Sequence, residues 1–347
     1  MHTVPHPRPA PEAPSRRPVP VRLLWLLALL LALAFVGAAS VAFGVRAVSL
    51  GDVVSGVTGS TGTIEQAAVN RRVPRTFLAM TVGGALGLAG AVMQGVTRNP
   101  LADPGILGVT TGASLAVVTG IAFLGLSSPA GYVWLALAGA ALAAALVYAI
   151  GSAGRGGATP LKLALAGAAT SAAFSSLISA VLLPRVQVMD SFRHWQIGGV
   201  GGADAGRIGQ VAPFLLVGVL LCFATARGLN ALALGDDVAT GLGVRVGTTR
   251  LLAAAGAISL CAAATAVAGP IGFVGLAVPH LVRLLVGVDH RWLLPFSVLA
   301  GAALLTAADV IGRLVARPEE VDVGIVTAVV GAPVFIWIVR RQKVRAL

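Results

Sequence analysis

Charge is what this sequence has least of. Of its 347 residues only 11% are Asp, Glu, Lys or Arg, 57% are hydrophobic, and mean hydropathy is +0.91. Soluble domains carry about 25% charged residues, so the balance excludes a water-soluble globule and marks an integral membrane protein. Lysine is scarcer still. Lys162 and Lys343 are the only two, and neither follows a glycine. Without Gly-Lys-Ser/Thr there is no phosphate cradle, so this chain does not hydrolyse ATP by itself. No GxSxG elbow, Cys-x-x-Cys or His-Glu-x-x-His spacing occurs, and no cluster of acids lies inside the apolar runs. An intramembrane enzyme would need a nucleophile–base pair, and none is visible. The histidines are scattered, and the two cysteines, Cys222 and Cys261, sit within apolar runs as small packing residues. Neither a metal site nor a disulfide is expected.

Net charge is +12, yet no nucleic-acid-reading motif accompanies it, and the cations sit in short loops between apolar runs. Membrane topology explains them better. Residues 1–21 are Pro- and Arg-rich without apolar periodicity and read as a disordered cytoplasmic tail, leaving 22–347 as one transmembrane domain. The charge-free run 23–45 exceeds the roughly 7–15 apolar residues of a signal peptide and reads as a retained first span.

A spanning helix needs roughly 20 apolar residues. Charge-free runs at 23–45, 76–97, 104–154, 163–184, 208–226, 251–282, 292–308 and 323–339 supply the candidates. "LSSPAG" (Leu126–Gly131) and "AGPIGFVG" (Ala268–Gly275) each split one long run in two. The expectation is an all-α, polytopic chain of ten transmembrane helices. With both termini cytoplasmic, sixteen Lys and Arg fall inside and nine outside, the asymmetry of the positive-inside rule. "RRVPR" (Arg71–Arg75) falls outside, against that rule. Gly/Pro-interrupted segments following Arg75 and Arg250 echo one another weakly, the pattern of a transporter built from repeats.

Three polar features stand out. Asp309 and Arg313, four apart near an outer helix end, share a face and can pair. The pair is either a structural neutralisation, or part of an outer mouth with Arg72 and Arg75. An ion-coupled carrier is the rival to an ATP-driven importer, but it buries its acids near the bilayer midplane. Asp309 is the only candidate, and it lies near an end. "QGVTRNPLADPGILG" (Gln94–Gly108) joins two spans on the inside. Pro100 and Pro104 forbid continued helix there, leaving a plain turn or a stiff pore lip. Upstream, Gly83, Gly87, Ala91 and Gly95 form a small-residue ridge suited to close packing within the chain.

The third feature is "LNALALGDDVATGLGV" (Leu229–Val244), too short to span. Leu229, Leu232 and Ala233 share a face, Gly235 suits a C-terminal cap, Asp236 an N-cap, and Gly243 a terminus. The result is a two-helix cytoplasmic hook. Helices lying flat on lipid are Lys/Arg-rich, whereas this one presents Asp236 and Asp237, so a protein partner fits better.

Four segments together carry a family resemblance: "RVPRTFLAMTVGGALGLAGAVMQGVTRNPLADPGILGVTTGAS", the hook, "GPIGFVGLAVPHLVRLLVGVDHRWLLP" and "GIVTAVVGAPVFIWIVRR". From about residue 20 onward the chain resembles the FecCD-type permeases, membrane subunits of ABC importers for iron–siderophore complexes, haem and vitamin B12. "TRNPLADPGILG" and "DHRWLLP" look most like the ferric-enterobactin-type siderophore branch. The resemblance implies the type II importer fold with ten helices in the cytoplasmic (inner) membrane. It also implies a second permease chain, identical or paralogous, an external substrate-binding protein, and a cytoplasmic ATPase dimer carrying the ATP and Mg, with no cofactor on this chain. By the same resemblance Arg72, Arg75 and Arg313 would dock the binding protein, and Asn99 and Leu101 would form the cytoplasmic gate. The ATPase would be coupled through Leu229, Leu232, Leu234, Gly235, Asp236, Asp237 and Gly243. The tail is longer than the family core needs.

Overall fold

The computed structural model describes residues 18–153 and 159–341. Residues 1–17 of the expected tail, together with Arg155, Lys343 and Arg345, lie outside them. The described chain is helical: α1 (Val19–Ala42), α2 (Leu50–Val57), α3 (Ile64–Thr97), a 3-10 turn (Pro104–Leu107), α4 (Val109–Phe123), α5 (Pro129–Ser152), α6 (Pro160–Leu182) and α7 (Val186–Gln196). There follow α8 (Ala205–Ala224), α9 (Ala226–Leu232), α10 (Asp236–Gly241), α11 (Val246–Ala268), α12 (Val274–Val286), α13 (His290–Val315) and α14 (Val323–Arg341).

Ten of these coincide with the ten expected apolar runs. Among the described residues α1, α3, α5, α6, α8, α11 and α13 are long and apolar enough to cross a membrane; α4, α12 and Val323–Ile336 of α14 are shorter apolar helices. The break at Gly269–Phe273 separates α11 from α12 as expected. Its two ends are held by left-handed Gly269 (φ +70°) and Phe273 (φ +67°).

Two helices escaped the apolar-run count because they are short and half polar. Helix α2 opens on a capping box, in which the Ser49 hydroxyl accepts from the Asp52 amide and the Asp52 carboxylate accepts from the Ser49 amide. Its Ser-x-x-Asp spacing is the sequence signature of that device. Helix α7 buries Phe192 and Trp195 and leaves its other side polar.

The largest departure is α3. It begins at Ile64, twelve residues before the charge-free run, with the Thr63 hydroxyl capping the Gln66 amide. "RRVPR" is therefore helix, not loop. Counting uncharged residues finds only the part of a helix that lies in hydrocarbon. Pro74 costs one internal hydrogen bond, which a helix of 34 residues tolerates. Helix α1 likewise starts at Val19, within the segment read as tail, and lays Arg22 over the Trp292 ring.

Helix α3 is the buried spine, packed chiefly on α13, α11 and α12. The small-residue ridge makes this possible. A Cβ on Gly83 would come within 2.2 Å of the Gly301 carbonyl oxygen, and one on Gly87 within 2.4 Å of that of Ser297. Only backbone against backbone fits there, the close approach that drives helix association in lipid. In contrast α1, α6 and α8 leave most of their apolar surface uncovered.

Candidate functional site

The polar side chains collect at two opposite ends of the bundle. One end holds the close of α1, the start of α3 and the close of α13. A helix leaves its last four carbonyls without partners, and at α1 arginines from other helices meet them. Arg72 donates to the carbonyl oxygens of Val41, Ala42 and Arg46 at 3.2, 2.9 and 2.8 Å. Arg313 donates to those of Ser40 and Phe43 at 2.9 and 3.0 Å, and Arg317 to that of Gly44. Cations at the negative end of the helix dipole add a favourable electrostatic term.

Asp309 offsets part of the charge of this cluster. Its carboxylate accepts from Arg75 at 2.8 Å and pairs with Arg313 at 3.0 Å, while Arg75 also reaches Glu320 at 2.7 Å. Asp309 and Arg313 are 1% and 2% exposed. The Thr76 hydroxyl donates to the Arg72 carbonyl, so Ser40 must donate to Thr76, at 2.6 Å, and accept from Arg313, at 2.7 Å. The (309, 313) pair anticipated from spacing is thus present, as one edge of a network that also takes in Arg75.

The expected docking trio is brought together, but not as surface charge. Arg72 and Arg313 are buried with their donors committed to α1, because the carbonyls they satisfy have no water to turn to. All three line a cavity of about 580 Å³, with Arg46, Arg71 and Glu320 at the same opening. Of these cations Arg46 and Arg71 are the exposed ones.

The opposite end carries the hook and the expected gate. Asn99 and Asp103 fold their loop by accepting the Leu101 and Gly105 amides at 2.9 and 2.8 Å. This is the side-chain-to-backbone turn that Asn and Asp favour. Leu101 is exposed, and both expected gate residues line one large cavity. Burial pushes the Asp103 carboxyl up from its usual range, against the pull of the Gly105 amide.

The hook is two short helices as expected, with two corrections. Asp236 makes no capping bond; Gly235 occupies the N-cap with φ +114°, a conformation L side chains resist. The Asp236 carboxylate instead binds Arg98 at the close of α3 and Arg250 on α11. Ala233 lies exposed, while Leu229 and Leu232 are fully buried against the bundle, since the chain turns between them and Gly235. Leu234, Val238 and Leu242 are 64%, 49% and 63% exposed. Asp237 and Gly243 are exposed as well.

A second clamp on the hook was not expected. The Asn230 amide donates to Asp289 at 2.7 Å, and its oxygen accepts from the His290 amide at 2.8 Å with the His290 ring Nδ1 also at 2.8 Å. Arg291, and less strongly Asn230, hold the Asp289 carboxyl well below its usual range. Both partners lie in "DHRWLLP", a segment noticed for resemblance but given no role. Their distance from Asn230 along the chain leaves no local signal.

Residues 29–341 match the model of the FecCD transport family. The ferric enterobactin transport system permease protein FepD of Escherichia coli is 44% identical, over 90% of this chain and 94% of that protein. The cobalamin import system permease protein BtuC of Halobacterium salinarum is 42% identical, over 80% and 74%. A metal-chelate type ABC transporter solved in an inward-facing conformation superposes with a TM-score of 0.80 and 31% identity, covering 92% of this chain and all of that one. With a family match over most of its length and relatives this similar, the chain belongs to the FecCD transport family.

Proposed function

We propose that the chain is a transmembrane permease subunit of an ABC importer that carries an iron–siderophore complex across the cytoplasmic membrane. The ten apolar helices are its spans, in the type II importer fold, with both termini and the hook in the cytoplasm. A second permease chain completes the pathway, and separate ATPase subunits supply ATP hydrolysis. A loaded binding protein meets the arginine end, steered by opposite charge. Its acidic side chains enter the cavity floored by Arg72, Arg75 and Arg313, with Arg46 and Arg71 at the rim. Asn99 and Leu101 close the pathway on the inside. Haem or cobalamin is the second reading of the cargo, favoured by the cobalamin-named relative. An ion-coupled carrier loses ground, because Asp309 is already occupied by two arginines.

The observation that carries the proposal is the hook. It is bound to the bundle by buried leucines and polar clamps, yet shows three apolar side chains to water on its far side. Exposed apolar groups of this kind mark a protein contact. ATP-driven movement of the ATPase pair would act on them and alternate the pathway between outward- and inward-open states. Deleting 229–244 would also remove buried Leu229 and Leu232, so the sharper variant is Leu234→Arg with Leu242→Arg. The permease should still fold and span, but no longer co-purify with its ATPase subunit or import cargo in proteoliposomes. Unchanged co-purification, or uptake persisting without ATP, sinks the proposal.

A further inference from the structure

The larger cavity, about 1490 Å³, exceeds the roughly 300–1,000 Å³ of ordinary ligand clefts. Its lining takes in the close of α3, the 98–107 loop with Asn99 and Leu101, and the start of α6, and it runs over α11 between α5 and α8, with Phe214 the one α8 residue in it. Both helices pack on α11 but scarcely on each other, so α11 forms the floor. The walls run from Tyr148 at the hook end to Leu137 on α5. Three turns of helix make that about 16 Å, close to the roughly 15 Å of hydrocarbon in one leaflet. One turn beyond Leu137, Trp134 meets Phe214 edge-on with centroids 6.2 Å apart, tying α5 to α8 at mid-depth.

Its floor is apolar: Ala254, Ala255, Ile258 and Ala262. The one hydroxyl there, on Ser259, already donates to the Phe214 carbonyl at 2.7 Å. A polar metal chelate would lose its hydration in this stretch with nothing in return. At the hook end the lining turns cationic. Arg98 and Arg250 share the single carboxylate of Asp236, and Asp103, the carboxylate of the lining itself, accepts from the Gly105 amide rather than from either arginine, so two guanidiniums share one carboxylate there. Arg250 Nε is buried with no partner. Outside the groove, Leu142 and Leu146 of α5 and Leu216 and Leu220 of α8 are uncovered.

An apolar slot one leaflet deep, open to the side, with surplus positive charge at its membrane-surface end, has the complement of one molecule class. The geometry points to an anionic phospholipid of that leaflet, its acyl chains along α11 and its phosphate between Arg98 and Arg250. The lipid would lie against the Asn99–Asp103 loop and the Asp236 clamp, coupling bilayer composition to the gate and hook. The inference rests on the membrane placement of the family but not on which side the hook faces.

The test places the full chain in nanodiscs of equimolar phosphatidylglycerol and phosphatidylcholine, extracts it gently, and counts retained lipids by native mass spectrometry. Phosphatidylglycerol should be retained over phosphatidylcholine by about fivefold or more, the ratio given by one basic contact near a membrane surface. Arg98→Gln with Arg250→Gln should bring the two lipids to parity. Asp236→Asn, which frees both arginines, should raise the preference, a change that damaged folding would not mimic. Ala255→Trp should empty the groove. Ala144→Trp does so from the opposite wall if the first variant folds poorly. Equal retention of both lipids by the unaltered chain overturns the inference, as does retention untouched by either tryptophan. Cross-linking of Ala255→Cys to the second permease chain would also overturn it, showing a subunit seam instead. None of these readouts involves ATPase binding or uptake, so failure here is distinct from failure of the importer reading, and an inverted topology would not be mistaken for an empty groove.

Discussion

The two ends of the bundle handle charge in opposite ways. At the arginine end, Arg72 and Arg313 turn inward onto the carbonyls at the close of α1, and the buried Asp309 carboxylate offsets part of their charge and that of Arg75. Three helices are thereby locked together. At the hook end the polar groups are fewer and more exposed, and they pin one small element to the bundle: Asp236 to α3 and α11, Asn230 to α13. The arginine end is a lock, and the hook is a fitted piece whose outward face is apolar. In the importer proposed above, the first would be the seat for an outside partner and the second the lever.

The sharpest way to break this contrast is Asp309→Asn. It leaves buried Arg313 without a carboxylate and Arg75 with Glu320 alone, a loss of about 3–5 kcal/mol for a buried pair. A large drop in thermal unfolding temperature in detergent is expected. A drop of only a degree or two would mean the arginines find other partners and the lock is not one. At the other end, Asn230→Ala removes a donor and an acceptor that serve Asp289 and His290, worth about 1–3 kcal/mol locally. Hydrogen exchange should accelerate over residues 226–244 while protection at Arg72–Thr76 is unchanged. Exchange rising equally at both ends would erase the distinction. Ser40→Ala is milder. It takes one link from the Thr76–Ser40–Arg313 chain, about 1 kcal/mol, and should shift unfolding measurably but not the hook's exchange.

The smallest effect concerns pH. The folded Asp289 carboxyl lies below its ordinary value, so its contribution is fully present above the unfolded carboxylate range and is lost only as pH falls through the folded value. In a His290→Gln variant, which takes the neighbouring imidazole out of the clamp, hook protection should therefore be flat from neutral pH down to the ordinary carboxylate range and fall below it. Loosening of that variant near pH 6 would remove Asp289 as the cause.

Much of the fold was legible because lipid imposes one rule on every span: enough apolar residues, no free charge. That rule located ten helices, the breaks at Leu126–Gly131 and Ala268–Gly275, and a hook that could not span. It was blind where helices extend beyond hydrocarbon or never enter it, hence the early start of α3 and the unforeseen α2 and α7. Family resemblance brought Arg72, Arg75 and Arg313 to one end, but exposure is set by what lies nearby. The end of α1, some thirty residues upstream of Arg72 and 270 of Arg313, decides where those side chains point.

By itself, then, the sequence determined the solvent this chain lives in, the number of its apolar helices, the position of its hook, and the absence of a phosphate cradle. Those are properties of composition and spacing. Tertiary structure alone decided that Asp236 clamps rather than caps, that Asn230 reaches Asp289 and His290, and that α5 and α8 part over α11 to leave a groove. Each is a contact between residues far apart along the chain, and such contacts exist only once helices have chosen their neighbours.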